Sequence, residues 1–214
     1  CMACEQSLMR NEKCLCSKCL YGLPRTNMQF DENNFISQLF WGKVKIHTAT
    51  AFYYFEKESK YRKLIHKLKY HGHKEIGYEM GKFYGSELYN SKKKKKTDIV
   101  LPVPLHPKKK RKRGYNQSDY IAMGIAKSLK TNYDLKNLVR TVDTATQTKK
   151  SRMQRWENVE SIFKLKSPVK IKDKNILIVD DVVTTGSTLE ACAMQLLKYG
   201  AKKVNLATLA VSIN

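Results

Sequence analysis

The sequence predicts an α/β protein: a parallel sheet flanked by helices, with a small metal-binding unit at its amino end. Three observations point there. Apolar, β-branched runs at 98–103, 176–179 and 204–211 alternate with helix-period segments, and that order gives parallel strands joined by crossover helices. Hydrophobic residues make up 42% and charged residues 28% of the 214 residues, enough for one such domain plus a small appendage. Five of the six cysteines fall in the first 19 residues, a density that reads as a metal site and not as an oxidised scaffold. No apolar run approaches the roughly 18 residues of a membrane helix, and no signal-peptide pattern opens the chain. A cytoplasmic location is therefore expected. The sequence starts on Cys1 instead of Met, so a start further upstream is expected.

Cys1 and Cys4, then Cys16 and Cys19, form two C-x2-C knuckles. Such knuckles place four thiolates around one tetrahedral ion, and zinc suits soft sulfur ligands in a closed, structural site. Cys14 could replace Cys16 in the set. A segment this short builds no core of its own, so the metal would supply its folding energy. The expected division is a zinc-binding unit over 1–30 and a second domain over 31–214.

Residues 22–47 read as a connector, and 48–55 as a strand rich in aromatic and β-favouring residues. Ser59 is the expected N-cap of a basic amphipathic helix with Tyr61, Leu64, Ile65 and Leu68 on its apolar side. Its other faces carry Lys60, Arg62, Lys63, His66, Lys67 and Lys69. A second helix presents Ile76, Met80, Phe83, Tyr84 and Leu88. Lys92–Lys96 is a solvated loop, and 98–103 a buried strand leading to a second basic run, Lys108–Arg113. A helix over about 118–129 follows. Residues 141–160 are polar and are read as a mobile loop. The strand at 176–179 and the helix at 189–199 complete the pattern, with Cys192 a core thiol, Gly200 the cap and 204–211 the last strand.

The net charge is +22 with a pI near 9.7, a field that attracts nucleic acid, pyrophosphate groups or acidic surfaces. Lysine supplies 33 of the 41 basic residues, a skew that a coding bias produces as readily as a binding surface does. Lys60, Lys63 and Lys67 share a helical face, and Lys108, Lys109 and Lys110 form a second cluster. With Tyr61 and Tyr70 as stacking platforms they read as a track for single-stranded DNA; ordinary solvated faces are the competing account.

The sharpest motif runs from Asn175 to Leu189. A buried strand ends in Asp180 and Asp181, and Thr184-Thr185-Gly186-Ser187-Thr188 then opens a helix. Hydroxyls and unpaired amides at a helix N-terminus favour a phosphate, and Gly186 lets the backbone approach it. Two carboxylates repel a phosphate, so their natural partners are sugar hydroxyls or Mg²⁺. A phosphorylated ribose satisfies both halves.

The stretch 175–189 resembles the ribose-5-phosphate-binding motif of type I phosphoribosyltransferases. More narrowly, the chain resembles the ComF family of competence-associated, phosphoribosyltransferase-like proteins. The carrying residues are the four-cysteine unit, Val103-Pro-Leu-His-Pro107, Arg113-Gly-Tyr-Asn-Gln117, Gln147 with Arg152, Arg155 and Asn158, and the Asp180–Thr188 loop. The resemblance implies a type I phosphoribosyltransferase-like sheet that takes 5-phosphoribosyl-1-pyrophosphate with Mg²⁺. It assigns Asp180 and Asp181 to the ribose hydroxyls, as the residues that would carry catalysis. It assigns the ribose-phosphate site to Asp180, Asp181, Val182, Val183, Thr184, Thr185, Gly186, Ser187 and Thr188. Arg113, Arg152 and Arg155 are the implied pyrophosphate contacts, the last two on a lid over 143–158. The expected chemistry is displacement of pyrophosphate from the anomeric carbon through a transition state of oxocarbenium character, with the leaving group's charge stabilised and water excluded. The family also implies single-stranded DNA handling in natural transformation and a helicase-like partner; its alternative is a transferase of nucleotide salvage without a DNA role.

Overall fold

The computed structural model describes residues 1–31, 33–56, 58–91, 96–142 and 162–212. From the amino end, the cysteine-rich segment with helix α1 (Ser17–Tyr21) leads through α2 (Phe35–Gln38) into strand β1 (Thr48–Phe55). Helices α3 (Arg62–Tyr70) and α4 (Lys74–Asn90) follow, then β2 (Ile99–Pro102), α5 (Pro107–Arg113), α6 (Gln117–Leu129) and β3 (Asn132–Tyr133). Strands β4 (Leu138–Arg140) and β5 (Phe163–Leu165) pair antiparallel. Strand β6 (Asn175–Val183), helix α7 (Ser187–Lys198) and strand β7 (Lys203–Ser212) complete the described chain.

Five strands form one sheet in the order β1-β7-β6-β2-β3, parallel at every pairing. Helices cover both faces, so the central strands are apolar on both sides. Along β6 the alternation is strict. Leu177 and Val179 join a core with residues of α3, α4 and α6, whereas Ile176 and Ile178 join one with residues of α2 and α7. Helices α4 and α6 meet backbone to backbone: a Cβ at Gly124 would fall on the carbonyl oxygen of Tyr78. Ala3, Cys14, Cys16, Cys19 and Leu23 belong to the same core as α3 and α4, so the cysteine segment is packed onto the sheet domain. No helix among the described residues is long and apolar enough to cross a membrane.

Several elements differ from expectation. Residues 22–47 are more than a connector: Asn34 caps α2 by accepting from the amides of Ile36 and Ser37 at 3.0 and 3.1 Å. Its own amide donates to the Ala49 carbonyl of β1. Met28, Ile36 and Phe40 then fill one face of the sheet. Ser59 is not the N-cap of α3. That helix begins at Arg62 with Tyr61 at its cap position, because the Tyr61 ring is drawn into the core, and Ser59 Oγ accepts from the Tyr61 amide at 3.3 Å instead. Strand β6 extends past 179 to Val183, held by pairing of Val182 with Ala210 and Val183 with Val211. The basic run at 107–113 is helical, with His106 at its N-cap and Gly114 at a φ of 85° ending it. Of the mobile loop expected over 141–160, Thr141 and Val142 are described, the Thr141 amide donating to the Ile162 carbonyl at 2.8 Å; the rest, with the lid and Gln147, Arg152, Arg155 and Asn158, lies outside the described residues, as do Lys92 to Lys95.

Candidate functional site

At the amino end, α1 supplies Cys19 from its first turn and Cys16 from its N-cap, and the preceding loop supplies Cys1 and Cys4. All four sulfurs lie within 4.8 Å of one another. Four thiol sulfurs at that separation form a donor set that could hold a metal ion. Cys14 is not part of it. Its thiol is buried and is pushed up to about 12, chiefly by burial and then by the charges of Glu79 and Glu75.

Helix α3 is the support of this unit. Tyr61 Oη donates to the Cys19 carbonyl at 3.0 Å, Lys67 Nζ donates to the Met2 carbonyl at 3.2 Å, and Lys63 and Lys67 pair with Glu5 at 3.2 and 3.8 Å. Two cations of the expected nucleic-acid track therefore point into the protein's own amino-terminal segment. The third, Lys60, lies 5.2 Å from the centre of the Tyr61 ring. Tyr61 is only 5% exposed, which corrects its expected role as a stacking platform: its ring is core. Tyr70 is 66% exposed. Lys108 and Lys109 are exposed on α5, and Lys110 pairs with Asp119 at 3.4 Å.

The acidic pair lies near the carboxyl end of β6, where ligands collect in open parallel sheets. Successive strand residues face opposite sides, and the two carboxylates have separate partners. Asp180 Oδ1 accepts from Ser118 Oγ at 2.8 Å and from the Asp181 amide at 2.9 Å. Burial pushes the Asp180 carboxyl up to about 7, and the Asp181 charge adds to the effect. Asp181 is buried, with its Oδ2 3.0 Å from the ammonium of Lys69 in the last turn of α3.

Beyond the pair, Val182 and Val183 remain in the strand, and Val183 is core. Their contribution to a ligand would come from backbone alone. Thr184, Thr185 and Ser187 are exposed, Thr188 is half-buried, and the hydroxyls of Thr185 and Ser187 lie 3.0 Å apart. Gly186 caps α7 at a φ of 79°, and a Cβ there would stand 2.9 Å from Phe40 Cζ. Only glycine meets both conditions. The loop thus rests on the Phe40 ring with its hydroxyls outward, and the first amides of a twelve-residue helix lie behind them.

Arg113 ends α5, donates to Gln117 Oε1, and lays its guanidinium 5.6 Å from the centre of the Tyr70 ring. Next to it, Asn116 Nδ2 donates to the Val103 carbonyl and to Asp119 Oδ1. Together these bonds join β2's carboxyl end to the start of α6. A cleft of about 660 Å³ opens between this segment and the β4–β5 pair, lined by Lys110, Arg111, Asn116, Asp119, Arg140 and Lys166 among others.

Three residues at the site carry no signal that pattern reading catches. Lys69 is one cation among many on α3, Phe40 sits in a stretch without periodicity, and Ser118 is an ordinary first-turn serine. The one available hint is that Ser118 directly follows Arg113-Gly-Tyr-Asn-Gln117.

A family model described as phosphoribosyl transferase domain matches residues 116–212. The chain is 34% identical over 146 residues to the DNA utilization protein YhgH of Escherichia coli O157:H7, covering 67% of this chain and 63% of that one. It is 33% identical over 111 residues to competence protein F of Haemophilus influenzae, covering 51% and 48%. With competence protein ComFC of Streptococcus pneumoniae it shares 31% over 123 residues, covering 58% and 52%. The chain therefore spans less than two thirds of the length of these relatives.

Proposed function

The chain belongs to the ComF family of phosphoribosyltransferase-like proteins, and from that premise we propose that it binds 5-phosphoribosyl-1-pyrophosphate with Mg²⁺ and handles single-stranded DNA during natural transformation. The observation that carries the ligand is the end of β6. There a carboxylate pair with separate partners precedes a hydroxyl-lined loop that only a glycine lets rest on Phe40. In this reading the loop at Thr184 to Thr188 receives the 5-phosphate through its hydroxyls and the first amides of α7. Asp180 and Asp181 accept from the ribose hydroxyls, and Ser118 fixes the Asp180 carboxylate for that purpose. Arg113 faces the pyrophosphate, and Arg152 and Arg155 would join it from 143–161. Mg²⁺, when bound with the ligand, neutralises diphosphate charge and makes it a better leaving group.

The four sulfurs fit zinc by donor chemistry, and in this reading Cys1, Cys4, Cys16 and Cys19 hold it as a structural ion. The DNA role is supported by the +22 charge and the exposed basic helix α5, and by relatives whose names speak of DNA utilization and competence.

Thermal unfolding with and without phosphoribosyl pyrophosphate and Mg²⁺ tests the ligand. A rise in Tm for wild type that is absent in Asp180→Asn/Asp181→Asn is the expected result, because a ligand that binds only the folded state stabilises it by mass action. An equal rise in both proteins, or none in either, would remove the ligand from this site.

A further inference from the structure

The last turn of α3 is held between the two halves of the site. Lys69 Nζ is 3.0 Å from Asp181 Oδ2. The residue before it, Leu68, accepts at its carbonyl from Tyr115 Oη, and the residue after it, Tyr70, lies beneath the Arg113 guanidinium. Leu68 is fully buried, so the backbone of this turn is fixed by packing on one side and by the 113–115 segment on the other. Lys69 is therefore placed between the carboxylate assigned to the sugar and the segment assigned to the diphosphate.

Resting on the ligand reading above, we infer that Lys69 is the residue that makes the site prefer a phosphoribosyl diphosphate over plain ribose 5-phosphate. Its ammonium stands against Oδ2 of Asp181, and sugar hydroxyls take both oxygens of that carboxylate only if the ammonium leaves. Withdrawal into water would leave the buried Asp181 carboxylate uncompensated until the hydroxyls arrive, which is the expensive way to break such a pair. A ligand with a diphosphate gives the ammonium a new anion close by. The four-carbon stem carries it there while the helix backbone stays in place. The Lys69 side chain is 24% exposed, against 6% for Asp181, so the cation has solvent-side room to move and the carboxylate does not. Ribose 5-phosphate supplies the hydroxyls and the 5-phosphate but no second anion, so it must displace Lys69 without compensation.

Calorimetric titration of both ligands, with Mg²⁺ present, into wild type, Lys69→Met and Lys69→Arg tests this. Wild type is expected to favour the diphosphate strongly. In Lys69→Met, ribose 5-phosphate should bind more tightly and the diphosphate at least tenfold more weakly, collapsing the preference, while Lys69→Arg keeps most of it. A Lys69→Met protein in which both affinities fall by the same factor would show a merely structural anchor of α3 and overturn the inference alone. Wild type that binds neither ligand would overturn the ligand reading and this inference with it. Should Lys69→Met melt early, Lys69→Gln carries the same comparison, and a preference retained by a folded Lys69→Gln contradicts the inference.

Discussion

The Ser118 hydroxyl donates to Asp180 Oδ1 across 2.8 Å, linking the first turn of α6 to the strand that carries the acidic pair. Ser118 has no exposed surface and Asp180 is half-buried, so this bond, with that from the Asp181 amide, offsets part of the cost of drawing the Asp180 carboxylate out of water. Removing the donor leaves a half-buried acceptor with one partner fewer, at a cost of about 1–3 kcal/mol. Ser118→Ala is expected to lower stability by about that amount and to weaken phosphoribosyl pyrophosphate binding by about tenfold. Chemical denaturation and calorimetry on the same preparation check both, and an unchanged affinity would detach Ser118 from the site.

Asp180 also sets a pH dependence. Its carboxyl is raised from 3.8 to about 7 in the folded protein. Between those values the folded chain holds a proton that the unfolded chain has released, so the Asp180 contribution to stability falls as pH rises through the window. Asp180→Asn has no such proton. The variant is expected to match wild type near pH 4 and to exceed it above pH 7. Denaturation curves at the two pH values decide it; a variant less stable than wild type at pH 8 contradicts the burial argument.

The loop at Thr184 to Thr188 makes its own demand. Gly186→Ala places a methyl group against Phe40 at a positive φ, which should cost about 1–3 kcal/mol from strain alone. Phe40→Leu in the same chain should recover the steric part and not the backbone part. Paired thermal melts of the single and double variants measure the difference, and a Gly186→Ala protein as stable as wild type would show that the loop is not braced there.

For the cysteines, metal analysis is expected to give one zinc per chain, lost in Cys4→Ser and in Cys19→Ser but kept in Cys14→Ser. Because Glu5 and the Met2 carbonyl hold Lys63 and Lys67, loss of the ion should also loosen α3. Faster amide exchange across 62–70 after chelation would report it, and a stably folded, metal-free protein would contradict a structural zinc.

On DNA, Lys63 and Lys67 pair with Glu5, and the exposed helix α5 carries Lys108, Lys109 and Lys110. Neutralising Lys108, Lys109 and Lys110 to Gln should reduce the salt slope of single-stranded DNA binding by about 2. The Lys63→Gln/Lys67→Gln pair should change it less. Fluorescence anisotropy across a salt series separates the two, and an unchanged slope in the α5 variant takes that helix off the DNA surface.

Much of the scaffold is legible in the sequence because burial and period coincide. β1 spans the β-branched and aromatic run at 48–55, and the four thiols declare themselves by spacing. Where a residue's structural reason lies elsewhere in the chain, the pattern is silent. β6 outruns its apolar stretch because β7 keeps pairing with it past Asp180 and Asp181, and β3 to β5 are two or three residues long, too short for a period. The motif identifies Asp180 and Asp181, but their partners Ser118 and Lys69 arrive from α6 and α3 through tertiary packing. No local feature separates Lys69 from the cations around it.

The most direct test of the account is calorimetric titration of phosphoribosyl pyrophosphate with Mg²⁺ into wild type and Asp180→Asn/Asp181→Asn. Saturable one-site binding to wild type that falls by at least about a hundredfold in the double variant, as loss of two charge-assisted acceptors requires, is the predicted result. Undiminished binding to a correctly folded double variant, or no binding to wild type, would contradict a phosphoribosyl site at the end of β6.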